Sequence, residues 1–265
     1  MINLLKAAKK AHDLNSVAKK NPMQFWKPSP PQLKVLQATE PIVLFRAANQ
    51  LGKTVCGAME TLYMMFGKHP YKEIPGKVPI IAWVIVHSWE QSKIIQKKIH
   101  DLIPPSEYSS DSPVFQDGKG YRAKNAWFKL KNGSMLFFKT AQQGTLGAAS
   151  GTIDFCWVDE PCPQKLFGEL VARLFRNKGR MVLTMTPIGG GDLTWLRRLT
   201  ETKPPKIKDI HAPLTVANTT PLGCRALLTE DDINKLSDQY LSIDRAARLE
   251  GSWDLGAPMD GQIFE

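Results

Sequence analysis

Short apolar runs alternate with amphipathic stretches along most of this 265-residue chain, and this alternation restricts the possible folds more than any other feature. Apolar runs typical of buried strands occupy residues 41–45, 78–86, 153–158 and 181–185. Helical periodicity separates them, over residues 53–66, 88–103 and 164–177. Strands that alternate with helices form largely parallel sheets that are covered on both faces. We therefore predict an α/β fold with a mostly parallel sheet, whose ligand site lies at the carboxyl ends of the strands.

Local signals refine this outline. Asn132-Gly133 within residues 126–139 predicts a hairpin with a type I′ turn, and Ser88 with Gln91 predicts a capping box at the start of a helix. Composition changes after Pro204-Pro205, where irregular sequence and two polar helical stretches follow. We therefore predict a core over residues 1–205 and a small C-terminal lid or linker subdomain over residues 206–265.

Composition and charge narrow the class of protein. No apolar run approaches the roughly 18 residues of a membrane span, and the N-terminus lacks the apolar core of a signal peptide. The chain carries 35 Lys and Arg against 25 Asp and Glu, a net charge of +10. Such an excess is typical of a protein that binds a polyanion such as nucleic acid, or of a solvated basic surface, and charge alone leaves both open. Residues 1–25 are read as a basic helical arm.

The most specific motif lies directly between the first strand and its helix. Residues 47–54 read A-A-N-Q-L-G-K-T and match the phosphate-binding pattern G-x-x-x-x-G-K-[ST], with Ala47 in place of the first glycine. In such loops the backbone amides and the helix N-terminus hold phosphate oxygens. Lys53 is expected to reach the β- and γ-phosphates, and the Thr54 hydroxyl to bind Mg²⁺. The predicted nucleotide-binding residues are Ala47, Ala48, Asn49, Gln50, Leu51, Gly52, Lys53 and Thr54.

Two acidic residues end the third apolar strand. Asp159 is placed to hold Mg²⁺, and Glu160 is placed to deprotonate a water that attacks the γ-phosphate. Thr186 ends the fourth strand, where its hydroxyl could lie beside the γ-phosphate. The guanine-specificity pattern N-K-x-D is missing from the sequence, so we predict ATP with Mg²⁺ as the nucleotide and metal.

Together these motifs resemble the ATPase domain of the large terminase subunits of tailed double-stranded DNA bacteriophages. The resemblance lies in four stretches, whose order is more specific than any one of them. They are RAANQLGKT (46–54), IDFCWVDEP (153–161), LTMTP (183–187) and RLEGSWDLGAPMDGQIF (248–264). The stretch PSPPQLKVL (28–36) looks like the adenine-side motif of the family, where Gln32 would read the base and Phe25 or Trp26 could stack on it.

The resemblance implies a P-loop NTPase of the additional-strand, catalytic-glutamate type. It implies that Arg46 contacts the γ-phosphate in cis and that a neighbouring subunit supplies a second arginine. The stretch before Asp159 contains no arginine, so the candidates for that second residue are Arg122, Arg173 and Arg176. The resemblance also implies that the active form is a homo-oligomeric ring and that the isolated chain is a monomer. The ring would move double-stranded DNA by contacting its backbone phosphates. The expected partners are the portal protein and the small terminase subunit, without a membrane, in the cytoplasm of the infected bacterial host.

Three further expectations complete the interpretation. The family normally continues into a nuclease domain with clustered carboxylates, and residues 206–265 offer no such cluster, so we expect no DNA cleavage by this chain. The main alternative function is a RecA-like one-core DNA translocase or helicase ATPase. A further alternative, from another class of protein, is a non-catalytic DNA-binding scaffold with a vestigial nucleotide site. The presence of the full set of motif residues argues against it: Lys53, Thr54, Asp159 and Glu160.

Overall fold

The computed structural model describes most of the chain in eight stretches. They cover residues 16–18, 20–72, 78–121, 126–143, 151–188, 193–202, 207–240 and 245–253. Most of the predicted basic arm, the candidate Arg122 and the end of the stretch 248–264 lie outside the described residues.

Seven strands form one sheet in the order β3-β4-β2-β5-β6-β1-β7. The strands are β1 (Ile42–Ala47), β2 (Ile81–Val86), β3 (Trp127–Lys129), β4 (Met135–Thr140), β5 (Phe155–Asp159), β6 (Arg180–Met185) and β7 (Ile207–Ala212). All neighbouring pairs are parallel except β3 with β4. Every residue of β5 and β6 is buried, as expected for strands covered on both faces.

Helices cover the two faces of the sheet. They are α1 (Pro22–Phe25), α2 (Pro30–Gln37), α3 (Lys53–Phe66), α4 (Trp89–Leu102), α5 (Gln164–Phe175), α6 (Thr194–Glu201), α7 (Val216–Thr219) and α8 (Glu230–Gln239), with short helical turns at Pro105–Glu107, Ala141–Gln143 and Ala246–Glu250. One core cluster includes residues of α2, α3 and α4, and the other includes residues of α5 and α6. None of the helices in the described stretches is long and apolar enough to cross a membrane.

The order of the central strands confirms the predicted class of fold. Strand β6 lies between β1, which leads into the loop at residues 47–54, and β5, which ends in the two carboxylates. The resemblance implies a P-loop class with an additional strand, and β6 is such a strand between β1 and β5. This strand order also places the ends of β1, β6 and β5 side by side at one edge of the sheet.

The predicted domain boundary at 205/206 is wrong in one respect. Strand β7 was assigned to the C-terminal subdomain, but it pairs with β1 along its whole length, from Ile42 opposite Ile207 to Ala47 opposite Ala212. Ile210 and Ala212 belong to the main core, so the core extends at least to Ala212.

The hairpin between β3 and β4 is confirmed, but its turn differs from the predicted one. Five residues, 130–134, join the strands, and only Gly133 has a positive φ, of 89°. A type I′ turn needs positive φ at both central residues, which Asn132 lacks. The Asn132 side chain instead donates to the Met65 carbonyl at 2.8 Å, so tertiary contacts with α3 favour the longer loop.

Helix α3 packs unusually closely on β5, which gives a stability prediction. A Cβ built on Gly57 would lie 2.2 Å from the Trp157 ring, whereas one on Gly168, exposed on α5, meets nothing within 4 Å. We expect Gly57→Ala to destabilise the fold by about 2 kcal/mol through overpacking. Gly168→Ala should stabilise it by about 1 kcal/mol through helix propensity. Urea unfolding checks both, and a Gly57→Ala variant as stable as wild type would contradict the close packing.

Candidate active site

The loop at residues 47–54 curls tightly over the end of β1. Ala47 ends the strand in ordinary extended pairing, which explains why a residue with a Cβ can replace the glycine of the pattern. Gln50 and Gly52 then both have φ of 66°, in the left-handed region. A Cβ on Gly52 would lie 2.5 Å from the Gln32 side chain, so glycine is required there by both conformation and space.

Gln32 supports the loop, and its predicted role at the adenine stays a prediction. Its Nε2 donates to the carbonyls of Leu51 at 3.2 Å and Gly52 at 3.1 Å, and its Oε1 accepts the Ser29 amide at 2.9 Å. The residue is only 5% exposed. Both ends of the Gln32 amide are therefore bonded to backbone groups, and this side chain holds the loop in place.

Lys53 turns its side chain back into the loop. Its Nζ donates to the carbonyls of Ala48 at 2.7 Å and Ala47 at 3.0 Å. Burial lowers the pKa of this ammonium, while the nearby carboxylates of Glu160 and Asp159 act in the opposite direction. A positive charge is therefore held where the loop and the two carboxylates meet.

Strand β6 holds both acidic residues through Thr184, Asp159 by its carboxylate and Glu160 by its main-chain amide. The Thr184 hydroxyl donates to Asp159 Oδ1 at 2.8 Å, and the Thr184 carbonyl accepts the Glu160 amide at 2.8 Å. Glu160 itself has a φ of 69°, a left-handed conformation that is costly for a residue with a side chain. Such outliers persist where the surrounding structure fixes them, here by the bond to Thr184.

The electrostatic environment of Asp159 and Glu160 suits a carboxylate that accepts a proton. Burial, and then the negative charge of Asp159, raise the pKa of Glu160, while Lys53 opposes the shift. Burial also raises the pKa of Asp159, against which the Thr184 hydrogen bond, Lys53 and Gln91 act. A carboxylate whose pKa lies above its usual range is a better general base near neutral pH.

Thr186 connects the loop to the same carboxylates. Its hydroxyl donates to Asn49 Oδ1 at 3.0 Å, and its amide lies 3.4 Å from Glu160 Oε2. The end of β6 therefore contacts the loop on one side and the acidic pair on the other. The predicted position of the Thr186 hydroxyl beside a γ-phosphate stays a prediction.

The Arg46 side chain has protein partners on the face of β1 opposite α3, and its predicted contact with a γ-phosphate stays a prediction. Its guanidinium donates to Asp209 at 2.9 Å and to the Gly251 carbonyl at 2.5 Å, and it lies over the Trp253 ring at 5.1 Å. Leu44, two residues earlier on β1, belongs to the core cluster of α5 and α6, so this face of β1 is opposite α3. The structure gives Arg46 a role in stability.

Replacing Arg46 separates the two roles. We expect Arg46→Met to lower the free energy of unfolding by about 2 kcal/mol, because Asp209 loses its charged partner. The ATP hydrolysis rate should fall by less than about tenfold, whereas an arginine on a transferring phosphoryl group is typically worth roughly 10³–10⁵. Urea unfolding and a steady-state ATPase assay check this, and a large loss of rate without loss of stability would restore the γ-phosphate role.

The predicted stacking residues lie near the C-terminal end of α3. Trp26 lines a cavity of about 850 Å³ with Tyr63, Phe66 and His69, which belong to the C-terminal end of α3 and the following turn. Tyr63 lies ten positions after Lys53 on α3, which corresponds to a distance along the helix axis of roughly 15 Å at the α-helical rise. Phe25 is 41% exposed on the adjacent short helix. Trp26 is therefore remote from the phosphate loop.

Two candidates for the trans-acting arginine lie far from the site of their own chain. Arg173 and Arg176 are at the C-terminal end of α5, which leads to the beginning of β6 rather than to its end. Arg173 pairs with Glu169 at 3.5 Å and lies 3.4 Å from the Gly151 carbonyl. Either residue could serve only a neighbouring subunit.

The C-terminal segment, defined here as residues 240 and 245–253, is bonded to the loop, which the sequence did not predict. The Asn49 amide donates to the Arg248 carbonyl at 2.8 Å, and the Asn49 side chain lies 3.5 Å from the Tyr240 hydroxyl. A Cβ on Gly251 would lie 2.9 Å from the backbone of Ala47. The glycine and its φ of 63° therefore permit this close approach.

The residues present fit a Mg²⁺ ion held together with a nucleotide. Mg²⁺ prefers oxygen ligands and commonly takes one or two carboxylates together with phosphates and waters. Asp159 offers a carboxylate at the end of β5, and Thr54 a half-buried hydroxyl at the start of α3. Both flank Lys53, which contributes the positive charge that phosphate oxygens need.

Comparison with known proteins agrees with this geometry. The family model described as "Terminase large subunit, T4likevirus-type, N-terminal" matches residues 44–265. The large terminase subunit of Salmonella phage P22 is 24% identical over 256 residues, covering 83% of this chain and 48% of that protein. The chain thus spans about half the length of this curated relative.

Solved structures share the fold. The large terminase ATPase domain of Thermus phage P74-26 matches with a TM-score of 0.63 and 15% identity, over 88% of this chain and 96% of that one. A large terminase from a thermophilic bacteriophage matches with a TM-score of 0.62 and 13% identity, over 86% of this chain and 54% of that one. At these identities the likeness is one of fold, and it agrees with the family match over most of the chain. The chain belongs to the large terminase subunit family, to the region that the T4likevirus-type model describes as N-terminal.

Proposed function

We propose that this chain is the ATP-hydrolysing motor domain of a phage DNA-packaging terminase. One observation carries the proposal: the end of β6 joins the phosphate loop to both carboxylates. Thr184 bonds Asp159 and Glu160, and Thr186 bonds Asn49 of the loop. A coupled arrangement of this kind suits a site where a change at the γ-phosphate must be passed to another part of the protein.

The residues divide the work as follows. Lys53 and the loop amides hold the β- and γ-phosphates of ATP, and Thr54 and Asp159 hold Mg²⁺, which neutralises charge that develops during phosphoryl transfer. Glu160 accepts a proton from the attacking water, for which its raised pKa is suited. Thr186 senses loss of the γ-phosphate and passes it through Asn49 toward the C-terminal segment.

The proposed active form is a homo-oligomeric ring. An arginine from a neighbouring subunit would complete each site, and the candidates remain Arg122, Arg173 and Arg176. Such an arginine is typically worth roughly 10³–10⁵ in turnover, so the monomer should be slow. We propose the portal protein and the small terminase subunit as partners of the whole terminase, in the cytoplasm of the infected host; membership of the family supports this proposal.

Double-stranded DNA is the proposed substrate for movement. Contact with backbone phosphates suits the net charge of +10 and a motor that must move every sequence. We expect the affinity for duplex DNA to fall by roughly 100-fold between 50 and 200 mM salt. The affinity should be equal for two duplexes of unrelated sequence. Fluorescence anisotropy checks both, and a flat salt response would contradict backbone recognition.

Movement along DNA is tested by displacement of a third strand from a blunt duplex in the presence of ATP and Mg²⁺. We expect wild type to displace the strand and Glu160→Gln to leave it bound. Glu201→Gln, which replaces an exposed carboxylate at the end of α6, is the matched control and should behave as wild type. Separation of the two strands of a forked duplex, without displacement from a blunt one, would instead identify a helicase.

A further inference from the structure

We propose that Trp157 and Thr184 form a hydrogen-bond relay that positions Asp159 for the metal, with Gln91 holding the other carboxylate oxygen. The inference rests on the proposed function, because it concerns the metal of the same nucleotide site. Trp157 and Gln91 are positioning residues, since neither is placed to touch the nucleotide. Thr184 acts on the metal through Asp159.

The relay follows from the register of two strands. Trp157 and Asp159 are two residues apart on β5 and so point to the same face of the sheet. Thr184 on β6 is the direct partner of Asp159. The Trp157 Nε1 donates to the Thr184 hydroxyl at 2.9 Å, and that hydroxyl donates to Asp159 Oδ1 at 2.8 Å. Trp157 and Thr184 are fully buried.

The chemistry of the groups fixes the direction of the relay. An indole N–H can only donate, so the Thr184 oxygen accepts from Trp157. The hydroxyl has one proton, and an ionised carboxylate can only accept, so this proton goes to Asp159. Both bonds therefore favour the charged form of a carboxylate that is only 6% exposed. A metal ligand needs that charged form.

Gln91 completes the hold on the carboxylate. Its Nε2 lies 3.3 Å from Asp159 Oδ2, and its Oε1 accepts the His87 amide at 3.1 Å. The sequence predicted that the Gln91 side chain would close a capping box with Ser88. In the structure only half of the box forms, because Ser88 accepts the Gln91 amide while the Gln91 side chain turns to His87 and Asp159. Each oxygen of the Asp159 carboxylate therefore has one hydrogen-bond partner, and these two partners restrict rotation of the carboxylate.

Gly57 of α3 makes room for the relay. A Cβ at this position would lie 2.3 Å from Trp157 Nε1 itself, the donor atom of the first bond. The helix that begins at the phosphate loop therefore packs directly against the indole that starts the relay. The position of this helix and the orientation of Asp159 are linked by contact.

The test measures metal binding directly. Mn²⁺ is titrated into the chain with a non-hydrolysable ATP analogue and followed by electron paramagnetic resonance, and the analogue alone is titrated in EDTA. Loss of a positioning partner typically weakens metal affinity roughly 10–100-fold. We expect Thr184→Val, which keeps the shape, to weaken Mn²⁺ binding by about tenfold or more. Thr184→Ser should stay within about threefold of wild type, and both should bind the analogue normally in EDTA.

Two further variants and one control keep the result interpretable. Trp157→Phe removes the N–H, and Gln91→Met removes the amide at a half-buried helix position; each should weaken Mn²⁺ binding by roughly three- to tenfold. Thr61→Val removes another fully buried hydroxyl, which bonds only the Gly57 carbonyl of its own helix, and should leave Mn²⁺ affinity unchanged.

Each outcome has a defined meaning. Wild-type Mn²⁺ affinity in Thr184→Val would overturn the relay, as would an equal loss of analogue binding in EDTA. If Thr184→Val does not fold, unchanged Mn²⁺ affinity in both Trp157→Phe and Gln91→Met would overturn it. Absence of any Mn²⁺–nucleotide complex in wild type would instead contradict the proposed function.

Discussion

Replacing Glu160 with glutamine should lower the rate of ATP hydrolysis by roughly 10³-fold while leaving ATP affinity within a few fold. Glutamine keeps an oxygen that can accept the Thr186 amide, so the bond that joins β6 to this side chain can persist. It also keeps the size of the side chain at a position with a φ of 69°. What it removes is the ability to take a proton from water.

Single-turnover phosphate release and equilibrium binding of a fluorescent ATP analogue separate the two effects. The control is Glu201→Gln at the exposed end of α6, which should hydrolyse ATP at the wild-type rate. A rate within tenfold of wild type in Glu160→Gln would remove Glu160 from its role as general base. A parallel loss of ATP affinity would point to damage of the site as a whole.

Replacing Lys53 with alanine should weaken ATP binding by roughly 100-fold, the equivalent of about 2.8 kcal/mol. The Lys53 ammonium is the positive charge at the meeting point of the loop and the two carboxylates. Without it, the negative charges of Asp159 and Glu160 would repel the triphosphate. Lys53→Arg should also bind poorly, because the planar guanidinium does not fit a site shaped for a compact ammonium.

Isothermal titration with a non-hydrolysable ATP analogue measures this loss. Lys68→Ala is the matched control, since Lys68 is exposed just beyond the other end of the same helix and should bind as wild type does. Equal affinities for Lys53→Ala and wild type would mean that the loop does not hold phosphates. The chain would then have to be read as a DNA-binding scaffold with a vestigial site.

Local sequence was enough to predict the central part of this site. The loop, its strand and its helix are continuous in the chain, Asp159 is the last of the five buried residues of β5, and Glu160 directly follows it. The geometry of a parallel sheet then brings the ends of these strands together. Thr186 could be placed by the same reasoning, because it follows β6, which lies between the other two strands.

Contacts between distant residues account for what the sequence did not show about Arg46 and Gln32. Arg46 lies on the face of β1 opposite α3, where it bonds Asp209, a residue 163 positions away in the chain. The Gln32 side chain is taken up by the carbonyls of Leu51 and Gly52. Nothing local to Arg46 or Gln32 reports these partners.

The C-terminal segment illustrates the same limit. Its polar, irregular sequence predicted a separate lid, yet the Arg248 carbonyl accepts the Asn49 amide and Gly251 lies against the backbone of Ala47. A glycine next to a short helical turn is an ordinary helix end in sequence. Only the fold shows that the backbone of the phosphate loop can lie against Gly251 because this residue has no Cβ.

The most direct test of the central claim is phosphate release by the wild-type chain with saturating ATP and Mg²⁺, measured over a range of protein concentrations with and without duplex DNA. We expect release well above that of Glu160→Gln, and a rate per chain that rises with protein concentration as neighbouring subunits complete one another's sites. Release no faster than that of Glu160→Gln at every concentration, with and without DNA, would contradict the claim that this chain hydrolyses ATP.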